Sequence, residues 1–315
     1  MSLADRPAAG LYVAAWALSG LGVAALVVGL ATEPPLRGIL VMAAFVALLA
    51  GLAAAAGYQV IARRTRPAER YRGPAPLILF CFQFALVYAV SLAIFALGVR
   101  LGESPAGFFA AAVLLLAAYV IVVWLFVVRT GALSWREMVH AQPFDAGRAA
   151  FDIALGGATM FGVALVAGIL GSLLAQLLGA EAPGVMPVPK TTADILMVAL
   201  GAGILVPIGE ELFFRGYTLS AWLRDLGPRS ALIRATIFFA LVHIVTLSAD
   251  TFADGVKQAI LVLAVITPVG FALGWLYLRR GLIAAIAGHA AFNLFAVVIL
   301  VLSQSLELSP LVGRG

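Results

Sequence analysis

The chain has 315 residues, is 63% hydrophobic and 11% charged, and carries a formal net charge of +5. A soluble domain is about half apolar, so a mean hydropathy of +1.10 excludes a soluble fold and makes this an integral membrane protein. The basic excess is scattered over the connections between apolar runs. That distribution fits topology signals and excludes a nucleic-acid partner.

Long uncharged runs recur from one end of the chain to the other. Hydrocarbon offers backbone polar groups no partner outside the segment, so helices are the expected spanning element. The runs do not alternate apolar with polar, which excludes a barrel. About 20 apolar residues cross a bilayer. The candidate spans are 11–31, 38–61, 76–99, 106–128, 151–179, 193–214, 231–248, 257–278 and 282–303. The expected fold class is all-α, a polytopic transmembrane helix bundle of eight to nine spans. The first run is too long for a signal-peptide core and passes quickly into the second, so it should stay as an anchor.

The expected organisation is transmembrane helices over 1–131, an interfacial amphipathic segment over 132–149, and a catalytic membrane core over 150–315. The interfacial segment sets Trp135, Met138, Val139 and Phe144 among Arg136, Glu137, His140, Asp145 and Arg148. His140 reads there as a surface histidine. Pro183, Pro187 and Pro189 mark 180–192 as an irregular connection. Gly156, Gly157, Gly162, Gly168 and Gly171 stud the fifth run, where small residues let helices approach closely. Cys81 is the single cysteine. It reads as a small core residue, and a zinc site of clustered cysteines is excluded.

Orientation follows from loop charge. Arg63, Arg64, Arg66, Arg70 and Arg72 follow the second span. Placing them in the cytoplasm and alternating sides puts 15 of the 20 basic residues on that side. The N terminus is then cytoplasmic and, with nine spans, the C terminus is outside. The 18 arginines against 2 lysines match the usage of a GC-rich bacterial genome, so a bacterial inner membrane is the expected location.

The informative polar residues lie in the last four runs. Glu210 and Glu211 are adjacent within Gly209-Glu210-Glu211-Leu212-Phe213-Phe214-Arg215-Gly216. A carboxylate at membrane depth is costly unless paired or wet. Residues four apart share a helix face, so Glu211 and Arg215 read as a structural ion pair. The position four beyond Glu210 is Phe214, which offers no charge, so Glu210 is the carboxylate left free to act as a base. Phe239 and His243 share a face of the next run. Taken alone, that histidine also fits a satisfied core position. His289 and Asn293 share a face of the last run and could donate two hydrogen bonds to one point, as an oxyanion requires. They could equally glue two spans together. Counted from the arginine-rich ends, all of these residues fall in the cytoplasmic half of the bilayer.

The ordered set Glu210-Glu211-x-x-x-Arg215, Phe239-x-x-x-His243 and His289-x-x-x-Asn293 resembles the pattern of the CPBP family. These are intramembrane glutamic proteases that include type II CAAX prenyl endopeptidases and bacteriocin-processing enzymes. The resemblance covers roughly 195–303. It implies an endopeptidase in which Glu210 activates a water, His243 orients it, and His289 with Asn293 stabilises the oxyanion. Glu211, Arg215 and Phe239 would support the site structurally. It implies no cofactor and no metal. The substrate implied is a peptide or membrane protein within the lipid bilayer, such as a leader peptide or a chain cleaved near its C terminus. Two His and a Glu could bind zinc, but no His-Glu-x-x-His run exists. Two other functions remain open on the residues. One is a non-catalytic scaffold, immunity or regulatory protein of the same fold. The other is a proton-coupled transporter, which the clustering of polar residues toward one side and the lack of an internal repeat disfavour.

Overall fold

A computed structural model of the chain describes residues 6–139, 145–180, 186–245, 247 and 249–312, with side chains as far as Gln304. The regular secondary structure among the described residues is all helical, with no strand. The helices are α1 (Ala9–Leu30), α2 (Leu36–Ala62), α3 (Pro76–Ala96), α4 (Pro105–Val128), the one-turn α5 (Trp135–Met138), α6 (Ala146–Leu178), α7 (Thr192–Leu226), α8 (Pro228–Ile244), α9 (Phe252–Arg280) and α10 (Leu282–Val312). Among the described residues, 8 helices are long and apolar enough to cross a membrane. The chain is a polytopic helical membrane protein.

Two elements differ from the sequence expectation in extent. The run at 231–248 becomes α8, which has 17 residues. At ~1.5 Å per residue that is ~26 Å, short of a ~30 Å hydrocarbon core. The sixth run continues past Phe214 to Leu226. Arg215, Thr218 and Ser220 look like the polar end of a span in sequence. All three are buried, and Arg215 and Ser220 are bonded inside the protein, so they do not end the helix. His140 and Phe144 of the expected interfacial segment lie outside the described residues, as does Pro183 of the 180–192 connection.

The chain divides into two compact units, residues 1–101 with 117–135, and residues 102–116 with 136–315. In the first, α1 and α2 pack so closely that a Cβ on Gly51 would meet Ser19 and one on Gly22 would meet Leu48. Gln59 near the end of α2 accepts a hydrogen bond from Ala75 N at 2.6 Å, which ties α2 to the start of α3.

In the second unit, α6, α9 and α10 interlock. A Cβ on Gly156 would overlap the Ala284 carbonyl, and Gly288 abuts Met160. Met160, Ala167, Val269, Leu273 and Leu276 form a buried cluster between them. Arg280 near the end of α9 donates from Nε to buried Asp152 of α6 at 2.6 Å, and Arg148 adds a contact at 3.8 Å. The outer face of α6 exposes Val166, Ile169 and Leu177 at 67%, 64% and 81%. Apolar surface of that extent is intolerable in water and ordinary against lipid.

Candidate active site

The site is built on α7. Thr191 caps this helix, accepting from Asp194 N at 3.1 Å, while the Asp194 carboxylate accepts from Thr191 N at 3.0 Å. The helix is interrupted by π-helical stretches at Gly201–Leu205 and Leu212–Leu219, and the glutamate pair sits on the α-helical segment between them. Every residue from Leu212 to Ala221 is buried. A helix buried on all sides can carry a charge only if neighbouring elements supply partners.

The first π stretch has an identifiable cause. Val206 N–H bonds to Gly201 O, five residues back. The Ala202 carbonyl would next turn to residue 207, which is proline and has no N–H. Both helical donors are therefore lost to Ala202 O. Asn293 Nδ2 of α10 donates to it instead, at 2.8 Å. One side chain of the Asn293 pair is thus fixed by a defect in the glutamate helix.

Glu211 is fully buried and accepts from Arg215 Nη1 at 2.9 Å, as the four-residue spacing predicts. Arg215 also donates from Nη2 to Gly270 O of α9 at 3.1 Å, and its guanidinium lies 4.1 Å over the Phe239 ring of α8. Three elements therefore stabilise one buried cation. Gly270 makes this approach possible, because a Cβ there would meet Phe239 at 3.0 Å.

The same oxygen of Glu211 faces His289 Nδ1 at 2.8 Å. An ion-paired carboxylate only accepts, so Nδ1 is the donor. That bond turns Nε2 toward Glu210, whose Oε2 is 3.9 Å away. The Glu210 side chain retains 15% of its exposure, against 0% for Glu211. The two glutamates are thus unequal, with Glu211 consumed by structure and Glu210 accessible. His243 is half-buried. Its Nδ1 lies 2.7 Å from Phe239 O, and its ring packs edge-on to Phe239 at 4.6 Å. The Phe239 ring also meets His289 at 6.1 Å, so it separates and positions both imidazoles.

Glu210, Glu211, Arg215, Phe239 and His289 therefore form one cluster, with His243 joined through Phe239 and Asn293 bonded one helical stretch away. The sequence reading placed His289 and Asn293 side by side as donors to one point. In the structure each has a donor already engaged, on Glu211 and on Ala202. The Pro207 defect, the Gly270 carbonyl and the Glu211–His289 bond were not anticipated. Only Pro207, a proline inside an apolar run, was a visible signal. Among the described residues no group of three or more His, Cys, Asp or Glu stands where it could hold a metal ion.

Residues 192–295 match the family model for type II CAAX prenyl endopeptidase, Rce1-like. Over this stretch, about a third of the chain, the sequence is similar to the Rce1-like family. The match covers α7, α8, α9 and the part of α10 that holds His289 and Asn293, and so includes all seven site residues. No curated protein and no solved structure matches the chain. An Rce1-like domain implies a membrane protease of the CAAX type that acts on a peptide or protein substrate in the membrane.

Proposed function

We propose that the protein is a glutamic intramembrane endopeptidase and that Glu210 is its general base. The observation that carries this reading is the inequality of the two glutamates. Glu211 is locked between Arg215 and His289, while Glu210 keeps an accessible carboxylate facing His289 Nε2. A separation of 3.9 Å is too long for a direct hydrogen bond and short enough for one water to touch both groups. Glu210 takes a proton from that water as its oxygen attacks the peptide carbonyl carbon. The Asn293 Nδ2–H that Ala202 does not use, and an Nε2–H on His289 when its ring carries both protons, stabilise the resulting oxyanion, and His243 orients the water. Glu210 then passes the proton to the departing amide nitrogen as the C–N bond breaks. General-base and oxyanion contributions of this kind are worth roughly 10²–10⁴-fold and 10²–10³-fold. The chemistry requires no cofactor and no metal. The arginine-rich loops support a site on the cytoplasmic side of a bacterial inner membrane, with the N terminus inside.

The test is cleavage of quenched fluorescent peptides, with and without a C-terminal prenyl-cysteine, by the purified wild type and by Glu210→Ala. Cleavage by the wild type that resists chelator and falls at least 10²-fold in the variant is the expected result. Unchanged turnover in Glu210→Ala would sink the assignment. The competing reading is a binding protein in which these side chains are interhelical glue. The two engaged donors on His289 and Asn293 favour it locally. It predicts that Glu210→Gln retains full cellular function.

A further inference from the structure

The first unit carries a polar site that the protease reading does not use. A cavity of about 590 Å³ opens where α2 and α4 end, lined by Arg64, Arg72 and Arg129 with Val60 and Leu125. Among the described residues no carboxylate lines it. All three arginines are exposed. Arg72 Nε is held on Arg66 O at 2.9 Å, which fixes its stem. Arg129 follows directly on the π-helical turn Trp124–Val128 and lies 5.9 Å from the Trp124 ring. Three like charges around one hollow repel each other, and a bound anion relieves that repulsion.

We infer that this cavity binds the phosphate headgroup of an anionic phospholipid from the surrounding bilayer. Position selects the occupant. The cavity sits at the ends of two candidate spans, which is headgroup depth. Val60 and Leu125 lie one helical turn inward from Arg64 and Arg129 and continue the site with apolar surface, which suits acyl chains. Trp124 is 46% exposed beside Arg129, an arrangement typical of the membrane–water boundary. Guanidinium groups match phosphate oxygens in a bidentate way, so arginine rather than lysine is the fitting residue.

The experiment uses the full-length protein in detergent with equal amounts of phosphatidylglycerol and phosphatidylcholine, reading bound lipid by native mass spectrometry. Each arginine near a membrane surface contributes enough to change affinity about five-fold, so R64Q/R72Q/R129Q should weaken phosphatidylglycerol binding on the order of 10²-fold. R64K/R72K/R129K, which keeps the charge, should retain most of the preference and controls for misfolding of the neutral variant. Raising salt should release lipid from the wild type. Equal retention of both lipids by the wild type would overturn the inference, as would a preference unchanged in the neutral variant. Displacement of the lipid by millimolar inorganic phosphate would reassign the site to a soluble phosphate and overturn the lipid assignment.

Discussion

Glu210 and Glu211 are chemically identical and one residue apart, yet the fold gives them opposite surroundings. Glu211 accepts from Arg215 and His289 on one oxygen and is sealed from solvent. Replacing it by Gln keeps the shape and removes the charge, which leaves Arg215 buried without its counter-ion. Breaking a buried pair in this way costs ~3–5 kcal/mol. Glu211→Gln should therefore lower the thermal stability of the purified protein strongly. Glu210→Gln should leave the melting temperature within a few degrees of wild type while turnover is lost. Equal melting temperatures for the two variants would contradict the division of roles. The spacing of Glu211 and Arg215 made their pair legible from sequence, because a four-residue step is local geometry. The partner His289 is 78 residues away, and no local rule could supply it.

At the scale of the element, α7 is tied to α10 through an irregularity. Pro207 removes a backbone donor, and the freed Ala202 carbonyl captures Asn293. Pro207→Ala restores an N–H that competes for that carbonyl. The variant should melt no lower than wild type and cleave substrate more slowly, by up to ~10²-fold if Asn293 shifts by about an ångström. Peptide-cleavage rates and melting curves on one preparation check both halves, and undiminished turnover would mean that the Asn293–Ala202 bond does not position the site. Packing of α6 on α10 offers a second test. A methyl group at Gly156 would overlap the Ala284 backbone, whereas one at Gly162 meets nothing within 4 Å. Gly156→Ala should destabilise by ~1–3 kcal/mol through overpacking. Gly162→Ala should be neutral or slightly stabilising, since glycine is a poor helix former. Thermal unfolding in detergent separates them. The glycine stripe on this helix was visible in the sequence. Which glycines face a neighbour and which face lipid was not.

At the scale of the whole molecule, the arginine-rich ends of α2 and α4 predict an orientation with those ends in the cytoplasm. In a Cys81→Ser background, a cysteine at Ala68 should resist a membrane-impermeant thiol reagent applied to intact cells. A cysteine at Arg100, beyond α3, should react. The reverse pattern would invert the protein in the membrane and move the proposed site to the other face. Whether the C terminus shares the side of the N terminus turns on α8, whose 17 residues make a short crossing.

Hydropathy by itself determined the membrane class and the helical bundle, because the absence of water forces every backbone donor to bond within its own segment. It also singled out the residues of the proposed site, since charges and imidazoles inside apolar runs are costly enough to be conspicuous. The span limit at Phe214 differs from the expectation because hydropathy treats a polar side chain as exposed. Arg215 and Ser220 find partners on other helices and let α7 continue. Only tertiary structure decided that His289 also bonds Glu211, how Phe239 spaces the two histidines, and why Asn293 points where it does. Each of those depends on contacts between helices distant in the chain, and their geometry is set by packing rather than by any periodicity along the sequence.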